Sequence, residues 1–125
     1  MVKLIKSERP DFVQFNYSII ERNAEIELLN VAKEFGTAVI INRPYAGGAL
    51  FRKIRGKSLP DWCKEIEITS WGQYFLKFIL ANEAVNCVIP GTSKPKHLKD
   101  NMKSGYGRLP TDAEKKRMLQ HLDSL

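Results

Sequence analysis

The chain has 125 residues, 43% hydrophobic and 27% charged, with a formal net charge of +6 at pH 7; this size and balance suit one globular domain and exclude a disordered or fibrous chain. Its basic residues alternate with acids along the sequence, so the charge reads first as a solvated surface and only second as a footprint for an anionic partner. Cys63 and Cys87 lack a CxxC spacing and make no disulfide framework or zinc site, no apolar run reaches the roughly 18 residues of a membrane span, and the opening MVKLIKSERPD is too polar for a signal-peptide core, so a soluble cytoplasmic protein with reduced thiols is expected.

Along the chain, PDFVQFNYSII is rich in β-branched and aromatic residues, which predicts a strand and its exit over Asp11 to Ser18. NAEIELLNVAKEFG follows at helical spacing, with Gly36 placed to end it. TAVIINRPY is a nearly continuous apolar run, the mark of a strand covered on both faces, and Pro44 stops it. The glycines and prolines of AGGALFRKIRGKSLPD predict a long loop. SWGQYFLKFILANE restores the helical period, with Tyr74, Phe75 and Phe78 as helical core and Gly72 weakening its start. NCVIP predicts a third short strand, KPKHLKDNM a helix with Pro95 in its first turn, and TDAEKKRMLQHLDSL a last helix opened by a Thr111/Glu114 capping box.

Strand and helix alternate three times, the βαβ rhythm of a parallel sheet that is either open and doubly wound or closed as a barrel. Three parallel strands, near Asp11 to Asn16, Ala38 to Asn42 and Asn86 to Ile89, cannot cover both faces with helices on one side. Either the sheet is flanked on both sides or another chain completes it.

Sites in such folds form after the carboxyl ends of the strands. After the third strand, Gly91 permits a tight turn, Thr92 and Ser93 offer hydroxyls, the free N–H groups of a helix start favour a phosphate, and Lys94, Lys96 and His97 add positive charge. An ordinary helix start accounts for the same residues. After the second strand, Arg43 supplies a planar donor fork, and Gly47 with Gly48 allows a backbone to approach a diphosphate or simply makes a turn. There is no Walker sequence and no GxGxxG fingerprint. Gln14 requires hydrogen bonds if buried, from a structural network or an amide-bearing ligand. His97 and His121 lie among lysines, where a surface role outweighs a catalytic one.

PDFVQFNYSIIER, VIINRPYAGGAL and LKFILANEAVNCVIPGTSKPKHLKDN, in that order, resemble the last three strand-and-helix units of the aldo-keto reductases, NADP(H)-dependent (β/α)8-barrel oxidoreductases. The resemblance runs from about Pro10 to the GRLPTDAE segment. It implies that residues 1–125 form a single domain, the carboxyl-terminal half of such a barrel, with about three parallel strands and flanking helices. By the same resemblance, Gln14 binds the nicotinamide carboxamide, Asn42 replaces a tyrosine stacked on the nicotinamide ring, and Arg43, Tyr45 and Gly47 lie on the diphosphate loop. Gly91, Thr92, Ser93, Lys94 and His97 form the corner that holds the adenosine 2′-phosphate, while Asp100 and Asn101 bind the adenine. Gly91 stands where many members have a lysine and His97 where an arginine usually grips the phosphate.

The family's catalytic aspartate, tyrosine, lysine and histidine fall in the half that this sequence does not match, so no catalytic residue and no metal ligand is assigned. The resemblance therefore implies an oxidoreductase whose NADP(H)-binding half is here and whose chemistry is not. An alternative is a non-catalytic nucleotide-binding or self-assembling half-barrel. Either way the expected partners are a nicotinamide nucleotide and a second copy or the missing amino-terminal half, with Phe12, Val39, Ile41 and Val88 as candidates for the contact. No nucleic-acid signature is present, and neither nucleic acid nor membrane is expected as a partner.

Overall fold

The β-branched and aromatic runs pair as strands. The computed structural model describes residues 1–125. In chain order it comprises α1 (Val2–Glu8), β1 (Phe12–Asn16), α2 (Leu28–Glu34), β2 (Ala38–Asn42), α3 (Ala49–Lys53), α4 (Trp71–Leu80), β3 (Cys87–Val88), α5 (Pro95–Met102) and α6 (Asp112–Asp123). The three strands form one parallel sheet in the order β1-β2-β3. No helix is long and apolar enough to cross a membrane.

Register decides which residues are inside. Gln14 pairs with Ile40 and Ile40 with Cys87, while Ile41 pairs with Val88. Because side chains alternate along a strand, Val13, Val39 and Ile41 share one face and are buried there in the same core as Tyr74, Phe75, Phe78 and Ile79 of α4. The other face carries Phe12, Gln14, Ala38, Ile40, Asn42 and Cys87, and Phe12 keeps 61% of its surface exposed. Of the four candidates for a partner contact, Phe12 is left open and Val88 half-buried, whereas Val39 and Ile41 are 0% exposed and committed to the core, so they cannot serve. A continuous apolar strand hides this choice, since pattern alone cannot tell which alternate set is covered.

Two segments are more regular than their composition suggests. The stretch expected as loop, Ala46 to Asp61, holds a 3-10 turn at Ala46–Gly48 and α3, because its glycines flank the helix: Gly48, at φ 87°, caps the start of α3, and Gly56, at φ 74°, follows its close. The opening segment, judged only for its polarity, forms α1 and buries Ile5. Conversely, the first predicted helix is shorter, a 3-10 turn at Asn23–Glu25 followed by α2.

The helical side is tied by polar groups as well as packing. Lys77 of α4 is 0% exposed, and its Nζ donates to the carbonyls of Ile66 (3.1 Å) and Arg108 (2.9 Å); burial pushes its pKa down. The Arg108 guanidinium grips Glu114 through two bonds of 2.5 and 2.8 Å and also donates to the Glu65 carbonyl at 2.7 Å. Glu114 completes the predicted capping box with Thr111, and the hydrogen bond from Arg108 followed by that from Thr111 pulls its carboxyl down to about 2. Lys33 on α2 pairs with Glu83 after α4.

Candidate functional site

The turns after β2 and β3 and the starts of α4 and α5 converge at the carboxyl end of the sheet. A cleft of about 460 Å³ opens there, with Tyr45, Phe51, Ile54 and Trp71 as its apolar walls. Ser70, Gly72, Gly91, Thr92, His97, Asp100 and Asn101 supply the rest of its lining. Six of the sequence-predicted residues, Tyr45, Gly91, Thr92, His97, Asp100 and Asn101, therefore meet in one place.

A polar network holds this cleft in shape. The Ser70 hydroxyl donates to Asp100 Oδ2 (2.6 Å) and Gln73 Nε2 donates to Asp100 Oδ1 (2.9 Å), so both carboxylate oxygens are engaged. Ser70 also caps α4 by accepting the Gln73 N–H at 3.1 Å. The Tyr45 hydroxyl donates to Asn101 Oδ1 at 2.8 Å; burial, then the nearby Asp100 charge, pushes its pKa up. A Cβ at Gly72 would stand 3.3 Å from Asn101 Oδ1 and 3.4 Å from both Asp100 Oδ2 and the Tyr45 hydroxyl. A side chain there would require Asn101 to give by a few tenths of an ångström, so glycine lets the α4 start lie close against α5.

A second cleft adjoins the first along the turn after β2, lined by Arg43, Tyr45, Gly47, Gly48 and Gly91 among others. The backbone here is unusual: Arg43 and Ala46 both sit at φ 51°, with Gly47 at 63° and Gly48 at 87°, conformations that cost a non-glycine residue about 1–2 kcal/mol. A Cβ on Gly47 would lie 2.8 Å from the Arg43 guanidinium, which is folded over it. Gly91 contrasts with these, since its φ is not positive and nothing lies within 4 Å of a Cβ built on it. The turn after β3 does not demand its glycine, contrary to the tight-turn expectation.

A third, all-polar groove adjoins the first cleft along α5, lined by Ser70, Lys96, His97, Lys99, Asp100 and Lys103. Thr92 Oγ1 accepts the Lys94 N–H at 3.2 Å, which leaves its own proton to donate outward. Lys94 is the N-cap of α5 and supplies no side-chain cap, so first-turn N–H groups stay free. Thr92, Ser93 and Lys94 are exposed, but Ser93 and Lys94 line neither cleft.

Gln14 and Asn42 stand apart from these clefts. Both are on the open face of the sheet, Gln14 in the middle of β1 and exposed, Asn42 at the end of β2. Asn42 Nδ2 donates to Asn16 Oδ1 at 2.9 Å, and its own Oδ1 is buried with no partner. Sequence reasoning missed Ser70, Gln73, Phe51 and Trp71. Ser70 and Gln73 carried a usable signal, because Ser-x-x-Gln before an apolar helix is capping-box spacing. His121, expected at the surface, instead lies between Trp71, to which it stacks at 6.3 Å, and Trp62 at 6.0 Å.

A model of the Aldo/keto reductase family matches residues 2–122. The chain belongs to that family. Among curated proteins, the uncharacterized oxidoreductase YrpG of Bacillus subtilis (strain 168) is 28% identical over 130 residues, which cover 87% of this chain and 39% of that protein. Among solved structures, aldo-keto reductase AKR11C1 of Bacillus halodurans in its holo form gives a TM-score of 0.69 at 22% identity, over 96% of this chain and 45% of the other. The thermostable aldo-keto reductase Tm1743, in complex with the inhibitor epalrestat, gives 0.66 at 22% identity over 87% of this chain and 39% of its own. At these identities the structural likeness speaks for the fold, part of a (β/α)8 barrel. The aldo/keto reductase chain described here spans less than half the length of these relatives.

The donors at the clefts fit a phosphorylated nucleotide: aromatic walls for a base, a glycine turn under an arginine, and a lysine-lined groove beside them.

Proposed function

We propose that this chain is the nucleotide-binding portion of an NADP(H)-dependent carbonyl reductase. The observation that carries the reading is the convergence of Tyr45, Gly91, Thr92, His97, Asp100 and Asn101 on one cleft at the carboxyl end of the sheet. The adenine occupies the aromatic-walled cleft, with the Asn101 amide free to bond it and Asp100 held in place by Ser70 and Gln73. Arg43 and the Gly47–Gly48 backbone take the diphosphate, and Thr92, Ser93, Lys94 and His97 take the 2′-phosphate. Gln14 and Asn42 meet the nicotinamide on the open face of the sheet. When bound, the nicotinamide supplies a hydride; a carbonyl also needs a proton from a positioned acid.

No tyrosine of this chain is disposed to give that proton. Tyr17 donates to Glu25 Oε1 (2.6 Å), Tyr45 to Asn101 and Tyr74 to the Met118 carbonyl (2.7 Å), while Tyr106 is 71% exposed on the far loop after α5. The polypeptide alone is accordingly read as competent to bind and incompetent to turn over. Titration of NADPH into the 125-residue chain, followed by fluorescence or calorimetry, should show saturable binding without oxidation of the nucleotide when a carbonyl substrate is added. Absence of binding overturns the reading; carbonyl reduction by the chain alone overturns its second half.

The open sheet face favours a companion reading, in which the same chain associates with a second copy or with the remainder of a barrel. Phe12, 61% exposed, stands on that face with Ala38 and Ile40, and Ile89 just after β3 is 48% exposed.

A further inference from the structure

Trp71 forms part of the aromatic wall of the cleft, and what holds its indole lies outside the cleft. Its Nε1 donates to the Lys57 carbonyl at 2.9 Å. One bond at the rim of a ring pins a point and leaves the plane free to tilt. The plane is set by two rings nearly parallel to it: Phe75, one turn on in α4, at 5.8 Å and 24°, and His121 of α6, at 6.3 Å and 14°. Phe75 travels with Trp71 on the same helix. The parallel contact that comes from another element is His121.

His121 is itself fixed from the side away from the cleft. Trp62 meets it edge-on at 6.0 Å and 89°, and the Arg117 guanidinium, one turn earlier on α6, covers the Trp62 ring at 4.5 Å. The helix beneath is anchored by Met118 and Leu122, 0% and 1% exposed, and by the Tyr74 hydroxyl, which donates to the Met118 carbonyl. His121 Nε2 is buried with no hydrogen-bond partner. An imidazole placed for its polarity would have that nitrogen paired; this one is used for its faces.

We infer that His121 is a positioning residue for the cleft: stacked on Trp71, it holds the indole as a firm wall for a planar ring, and it thereby makes the last helix a determinant of which ligands the cleft prefers. This rests on the nucleotide reading given above and adds to it a residue that does not line the cleft. Without a ring face at position 121 the indole can tilt toward the vacated space. The groups assigned to sugar and phosphate stand on other segments and keep their places, so the loss falls on the flat part of a ligand alone.

The test titrates the full chain with adenosine 5′-monophosphate and with ribose 5-phosphate, which has the same sugar and phosphate and no base, following protein amide resonances at low salt. His121→Phe keeps a flat ring and removes the unpaired nitrogen; His121→Leu fills similar space with no ring face. The original chain and His121→Phe should prefer the nucleotide over the sugar phosphate by the same factor. His121→Leu should lower that factor about three- to tenfold, the worth of one aromatic pair, with the affinity for ribose 5-phosphate unchanged. One common preference in all three proteins, an equal weakening of both ligands in His121→Leu, or a His121→Phe that behaves like His121→Leu overturns the inference and leaves the nucleotide reading standing. If the original chain binds neither ligand, both are overturned.

Discussion

The two faces of the sheet obey different rules although the same strands build them. On the helix side, Val39 and Ile41 are 0% exposed and the layer above them is locked by Lys77 and by the Arg108–Glu114 pair. On the other side Phe12 keeps most of its surface open, and polar groups such as Gln14 and Asn42 stand among the apolar ones. The first face carries the buried core; the second leaves apolar and polar groups side by side in the open. A chain that spans less than half of its relatives thus buries one side of its sheet and leaves the other open.

The contrast can be broken most forcefully at Ile41. Ile41→Ala should destabilise the chain by about 2–5 kcal/mol, the usual cost of emptying a buried isoleucine site, seen as a lower urea midpoint at unchanged slope. A cost under 1 kcal/mol would mean that the helix side is not the structural core. Next in size is Lys77→Met, which keeps the side-chain length and deletes the donor. It leaves the Ile66 and Arg108 carbonyls without that partner, for an expected loss of about 1–3 kcal/mol, read by thermal unfolding. A rise in stability would show that desolvating the ammonium outweighs what its bonds return. The smallest thermodynamic effect belongs to the open face: Phe12→Ser should change monomer stability by no more than about 0.5 kcal/mol while weakening association at micromolar concentration, as sedimentation equilibrium would show. Loss of folding on that substitution would make the open face part of the core after all.

Much of this was legible in the sequence. The three strands, the helix from Trp71 and the capping box at Thr111 all announced themselves through period and cap chemistry. The grouping of Thr92, His97, Asp100 and Asn101 was accessible because one short helix and the turn before it present them together. What pattern could not give is what depends on contacts between distant segments. Ser70 and Gln73 reach Asp100 across 30 and 27 positions of chain, and no local period encodes that. His121 looked like a surface residue among charged neighbours and is instead stacked on Trp71 from the far end of the chain. The long stretch after β2 misled through composition, because glycines at its margins punctuate helices rather than forbid them. The facing of β2 was hidden for another reason: an all-apolar strand satisfies either choice of covered side.

Gly72 offers a last consequence. Side chains from three separate stretches, Tyr45, Asp100 and Asn101, crowd the space that one more carbon on this residue would fill. The spacing between two helices, and with it the bore of the aromatic cleft, is thereby gauged by a position that offers a ligand no side chain at all. A methyl group there would touch all three neighbours and press chiefly on Asn101, and any larger side chain would have to push into the cleft. Changes in ligand choice are accordingly easiest at the rim, where Gly91 and His97 have room around them, and hardest at the hinge-like seam beneath.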